Sequence, residues 1–131
     1  MKLPKFKAAA VQTSPVFFDC DKTIKKASGI IKEASKNGAS LIAFPEVFVS
    51  AYPYWAWITS PVKGSPLFER LVQNSIKVPG PEIDILCKAA KENKCHVVIG
   101  VNERASNSVA TLFNTNVIID SNGEIIGRHR K

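Results

Sequence analysis

Between Phe6 and Phe44 the sequence is written as strand, helix, strand, and that order leaves few ways to fold. Phe6 to Gln12 reads as a first, buried strand. Asp19 or Asp21 caps a helix running to about Asn37, because an Asp side chain accepts hydrogen bonds from the orphan N–H groups of a first turn. Ile24, Ala27, Ile31 and Ala34 recur at spacings of 3, 4 and 3, which is one helical face. Gly38 supplies the stop, and Ala39 to Phe44 is a second short buried strand. Two strands joined in this way pair in parallel through a right-handed crossover.

The next stretch, 45–64, is different. Pro45, Pro53, Pro61 and Gly64 prevent a long regular element, yet the segment holds Phe48 and all of the chain's Tyr and Trp residues: Tyr52, Tyr54, Trp55 and Trp57. An aromatic loop at the C-terminal end of a strand suits a pocket wall, and it equally suits packing on the core. Ser65-Pro66 reads as a cap with proline at the first helical position, opening a helix through Leu67, Leu71 and Ile76. Pro79-Gly80-Pro81 breaks it, and a helix from about Pro81 to Asn93 turns Ile83, Leu86, Cys87 and Ala90 inward. Cys95 to Val101 is a buried strand. Thr111 to Asp120 and Glu124 to Arg130 flank Ser121-Asn122-Gly123, a hairpin signal. The alternation gives an α/β fold in one domain, residues 1–131. About five strands and three helices leave one sheet face bare.

With 45% hydrophobic and 22% charged residues, the chain has enough apolar side chains for a core and is not a disordered segment. Its apolar runs are too short for a membrane span. The basic start, Met1 to Lys7, is followed by too short an apolar run for a signal peptide, so a cytoplasmic location is expected. The net charge of +7 raises nucleic-acid binding, but the lysines are scattered along helices without interleaved aromatic residues, as on a solvated face. The cysteines, Cys20, Cys87 and Cys95, are odd in number and form no Cys-x-x-Cys pair, which argues against a disulfide framework or a zinc site. His96 and His129 are the only histidines, so no metal and no other cofactor is expected.

Two residues stand where chemistry is possible. Glu46 ends Phe44-Pro45-Glu46 at the mouth of a strand, and Lys131 ends Gly127-Arg128-His129-Arg130-Lys131. A carboxylate and an ammonium so placed can flank a reacting carbon. Read alone, Glu46 can also cap a loop, and Lys131 can be a solvated terminus. Strict alternation puts His129 and Lys131 on one side of their strand and Arg128 and Arg130 on the other. Asn114 and Asn116 are expected to satisfy backbone groups near the hairpin.

Ala8-Ala9-Ala10-Val11-Gln12, Phe44-Pro45-Glu46, Phe113-Asn114-Thr115-Asn116 and Gly127-Arg128-His129-Arg130-Lys131 together resemble the N-terminal part of the nitrilase (carbon–nitrogen hydrolase) superfamily. Ser50-Ala51-Tyr52-Pro53-Tyr54-Trp55 and Gly100-Val101-Asn102-Glu103 are similar to its nitrilase branch. The resemblance implies an α-β-β-α sandwich, here incomplete, and a Glu–Lys–Cys triad. Glu46 matches the general base and Lys131 the residue that stabilises the tetrahedral intermediate. The family's nucleophilic cysteine lies downstream of that lysine, and none of Cys20, Cys87 or Cys95 sits in matching sequence. Tyr52, Tyr54, Trp55 and His129 are expected to line a substrate pocket.

The activity implied is hydrolysis of a nitrile to a carboxylic acid and ammonia through a cysteine thioimidate and acyl-enzyme. A thiolate attacks the poor electrophile, a carboxylate accepts its proton and later activates water, and an ammonium stabilises the charge that develops. The 131-residue chain alone is expected to show little or no turnover. The alternatives are an aliphatic amidase or carbamoylase of the same superfamily, or a truncated, non-catalytic interaction module. Expected partners are a small nitrile or amide and further copies of the chain, with no nucleic acid and no membrane.

Overall fold

The computed structural model describes residues 3–131; Met1 and Lys2, the start of the basic run, lie outside the described residues. Five strands form one sheet in chain order: β1 (Ala8–Ala10), β2 (Leu41–Ala43), β3 (His96–Arg104), β4 (Leu112–Ile119) and β5 (Ile125–Arg130). β1, β2 and β3 are mutually parallel, and β4 and β5 add antiparallel neighbours. Helix α1 (Cys20–Lys36) joins β1 to β2, while α2 (Pro61–Gln73) and α3 (Pro81–Asn93) lie between β2 and β3.

α1 begins where Asp19 Oδ1 accepts the Lys22 N–H at 2.9 Å. It ends at Gly38, whose φ of 88° is left-handed. Ile24, Ala27 and Ile31 of α1 pack with Ile83, Leu86 and Ala90 of α3 over Ile42, Val97, Ile99, Val117 and Ile119 of the sheet. Each fully buried Ile or Leu contributes about 1.5–3 kcal/mol, so this two-layer core carries most of the stability. Pleating sends Leu41, Ala43, Val98 and Ile118 to the opposite face, where they are only half-buried. This is the expected bare face. One helical layer on one sheet is an incomplete α-β-β-α sandwich.

Three expectations are corrected. β1 is an edge strand and largely exposed, because it has a neighbour on one side only. α2 starts one turn earlier than Ser65-Pro66: the same Ser-Pro signal occurs at Ser60-Pro61, and Ser60 Oγ accepts the Lys63 N–H at 3.4 Å. Pro66 therefore lies inside α2, where it has no N–H for the carbonyl of Val62, an exposed residue of the first turn. Ile76 is outside the helix. It pairs with β3 instead, donating to Asn102 O at 3.1 Å and accepting from Arg104 N–H at 2.7 Å.

The hairpin closes through Asp120, whose Oδ1 accepts the N–H groups of Asn122 and Glu124, both at 2.9 Å. Gly123, at φ 79°, takes the left-handed position of a three-residue loop.

Candidate active site

Glu46 is presented by a deliberate irregularity. Phe44 N–H bonds Val98 O at 2.8 Å, and the next bond of this chain to β3 is Val49 N–H to Gly100 O at 3.1 Å. Ala43 pairs with Val98 and Val49 with Val101, so five residues, 44–48, stand against only Ile99 and Gly100, and the excess must leave the sheet plane. Pro45 has no N–H to keep them in the ladder. The detour crosses the open face at Gly100, where a Cβ would lie 2.5 Å from Pro45 O and in collision with Val47 N. Only glycine leaves room for that backbone. Val47 takes φ 39°, a conformation that costs a β-branched residue about 1–3 kcal/mol, and the sheet bonds on either side hold it there.

Lys131 is presented by regularity. Its N–H bonds Asn114 O at 2.8 Å, continuing the β4–β5 ladder. Alternation then puts His129 and Lys131 on the open face and Arg128 and Arg130 on the helical face. Lys131 Nζ donates to Glu46 Oε1 at 2.7 Å, and Asn114 Nδ2 donates to the same oxygen at 2.5 Å. Glu46 Oε2 accepts no hydrogen bond among the described residues. The Lys131 bond first, and the Asn114 bond after it, hold the Glu46 carboxyl below its ordinary pKa. The same contact raises the Lys131 ammonium. Both groups are therefore charged at neutral pH.

Two cavities of about 360 Å³ meet at Glu46. One is bounded by Val98, Asn114, Asn116, His129 and Lys131. The other is walled by Phe17, Phe48, Tyr52 and Tyr54, with Thr13 and Ser14 at its edge. Tyr52 and Tyr54 thus lie beside Glu46, their rings 4.8 Å apart. Trp55 lines neither cavity. It is buried against Phe18 and Leu71 in a separate cluster under α2, since the short 3₁₀ turn Tyr54–Trp57 rotates it away from its neighbours. Asn114 bonds the Glu46 carboxylate and not, as expected, the backbone near the hairpin; its face of β4 points toward the detour 68 residues earlier. Gly100 and Asn114 are the residues that sequence reading left without a role here.

The three thiols are ill suited to attack. Burial pushes all three upward, Cys20 to about 12, and none lines either cavity at Glu46. Among the described residues no three His, Cys, Asp or Glu side chains gather as a metal site would need. No described helix is long and apolar enough to cross a membrane. What the arrangement offers is a charged carboxylate with one free oxygen, an ammonium beside it and an apolar wall within reach, a set fit for proton transfer and charge stabilisation.

Residues 7–131 match the family model described as carbon-nitrogen hydrolase. The chain is 43% identical to an aliphatic nitrilase of Rhodococcus rhodochrous over 96% of its own length and 34% of the relative's. It is 37% identical to a cyanide hydratase of Pyrenophora teres f. teres over all of its own length and 35% of the relative's. It spans about a third of the length of these curated relatives. Among solved structures, Saccharomyces cerevisiae Nit3, a member of branch 10 of the nitrilase superfamily, superposes with a TM-score of 0.73 at 24% identity, over 96% of this chain and 44% of that one. That likeness shows the fold.

Proposed function

Since the chain belongs to the carbon-nitrogen hydrolase family, we propose that Glu46 and Lys131 are two of the groups with which a nitrilase converts a nitrile and two waters to a carboxylic acid and ammonia. The observation that carries this reading is the shared oxygen: Lys131 and Asn114 both bond Glu46 Oε1, leaving Oε2 free above two cavities. The thiol comes from sequence outside these 131 residues. Glu46 accepts its proton, and the thiolate adds to the nitrile carbon. The π electrons move to nitrogen, which takes a proton from Lys131 Nζ; Glu46 passes the thiol's proton to Lys131 and is a carboxylate again. Water activated by Glu46 adds to the thioimidate, and ammonia leaves. A second water cleaves the resulting thioester, releasing the acid and restoring the thiol.

The aromatic wall of Phe17, Phe48, Tyr52 and Tyr54 supports an organic nitrile, whose apolar part it would hold. The half-buried sheet face, with exposed Trp57, Ile58 and Val62, supports assembly with copies of the protein. Three unpaired cysteines support a reducing, cytoplasmic location.

The test is ammonia release by the full-length protein from an aliphatic nitrile and from the matching amide. The nitrile is expected to be preferred, and Glu46→Gln is expected to lower its turnover by about a thousandfold. Preference for the amide, or undiminished turnover by Glu46→Gln, overturns the reading.

A further inference from the structure

On the face opposite Glu46 lies a second carboxylate that the proposed chemistry does not use. Glu103 of β3 is only 2% exposed, yet four donors reach it. Arg130 grips both oxygens, Nε to Oε2 at 3.1 Å and an Nη to Oε1 at 2.6 Å. Thr115 Oγ1 donates to Oε2 at 2.7 Å, and Arg128 reaches Oε1 at 3.4 Å while also bonding Val78 O at 2.8 Å. The Arg130 guanidinium lies 3.9 Å over the Phe113 ring, which restricts its swing. Of the four side chains 128–131, Arg128 and Arg130 point to this face, and His129 and Lys131 point to the other. β5 is an edge strand, bonded to β4 alone, and its last residues would fray without a further tie.

We propose that Glu103 and Arg130 are positioning residues that set where Lys131 meets Glu46. The inference rests on the nitrilase reading above. β3 serves as the common ruler. On one face, Gly100 seats the backbone that carries Glu46. Three residues on and on the other face, Glu103 clamps the end of β5 through Arg130, the immediate neighbour of Lys131. A two-pronged bond between a planar guanidinium and a carboxylate fixes direction as well as distance, which a lone lysine contact does not. The charged or titratable groups facing Glu46 are His129 of β5, Lys131 just after it, and Tyr52 and Tyr54 from the loop; Arg130 is not among them. Its influence on Glu46 therefore passes through the position of Lys131.

The experiment compares Arg130→Met and Arg130→Lys with the unmodified full-length protein, reading kcat, KM and the acid limb of kcat/KM against pH. Loosening the clamp lets Lys131 stray, and a misplacement of about 1 Å costs up to about a hundredfold in rate. Arg130→Met is expected to lower kcat by about 10-fold to 100-fold with little change in KM. The acid limb is expected to move to higher pH as Glu46 loses part of its Lys131 contact. Arg130→Lys keeps the charge but cannot grip both oxygens, so the same changes are expected in smaller measure. A lower melting temperature with kcat and acid limb unchanged per active site makes Arg130 merely structural and overturns the inference. Wild-type behaviour in Arg130→Lys beside a large effect in Arg130→Met assigns the effect to charge and overturns it too. If Glu46→Gln is fully active, the nitrilase reading itself has failed, and the two failures are told apart.

Discussion

Glu103 and Glu46 each hold a cation, on opposite faces of the same three strands. Glu103 is sealed under side chains and bonded at both oxygens by Arg130, with Thr115 and Arg128 filling the remaining directions. Burial pushes its carboxyl up, but the Arg130 and Thr115 bonds and the two arginine charges outweigh burial and leave it below its ordinary pKa. Glu46 stands on the open face with its side chain 43% exposed, bonded at one oxygen, its cation 71% exposed. Ion pairs as open as this contribute little to stability. The difference separates a contact that holds strands together from one that keeps a charged oxygen available. The period of two in β5 deals alternate cations to the two tasks.

The largest expected contrast is between losses of rate and of stability. Lys131→Met in the full-length protein should lower nitrile turnover by about a thousandfold while the denaturant midpoint hardly moves. A midpoint shift matching the loss of rate would erase the distinction between the faces. Glu103→Ala should do the reverse in kind, costing about 3 kcal/mol by urea unfolding because two arginines lose their buried partner. Gly100→Ala joins the two regions: its Cβ must displace the Pro45–Val47 backbone, at a cost of about 1–3 kcal/mol, and it should also slow turnover because Glu46 moves.

The smallest effect is in acid. A carboxyl whose pKa is depressed by folding contributes stability that is present above its unfolded value and lost as pH falls through the folded one. Glu103 and Glu46 are both depressed. Unfolding free energy should therefore be level from neutral pH down to about pH 5 and decline below about pH 4. Glu103→Gln should flatten that decline more than Glu46→Gln does. Equal flattening would put the two carboxylates on the same footing.

Local signals carried the framework. The cap at Asp19, the spacing of Ile24, Ala27 and Ile31 and the stop at Gly38 place α1 without reference to anything distant. Asp120 and Gly123 likewise mark the hairpin, and alternation in β5 separates Lys131 from Arg130. Where one signal occurs twice, local reading fails: Ser60-Pro61 and Ser65-Pro66 are equivalent in sequence, and the helix opens at the first. Partners remote in sequence were not legible. The Asn114 amide finds Glu46 68 residues away, and Arg130 finds Glu103 27 residues away. Glu103 looks like any strand carboxylate until two strand pairings bring the arginines over it. The separation of Trp55 from Tyr52 and Tyr54 depends on a single 3₁₀ turn, which the proline-rich loop did not announce.

On the nitrilase reading, the open face serves a thiol other than Cys20, Cys87 and Cys95. Mass spectrometry of the full-length protein, quenched during nitrile turnover and digested, tests it directly. A thioimidate or acyl adduct is expected on another cysteine and is expected to be lost in Glu46→Gln. An adduct on Cys20, Cys87 or Cys95, or steady ammonia release with no adduct on any cysteine, would contradict it.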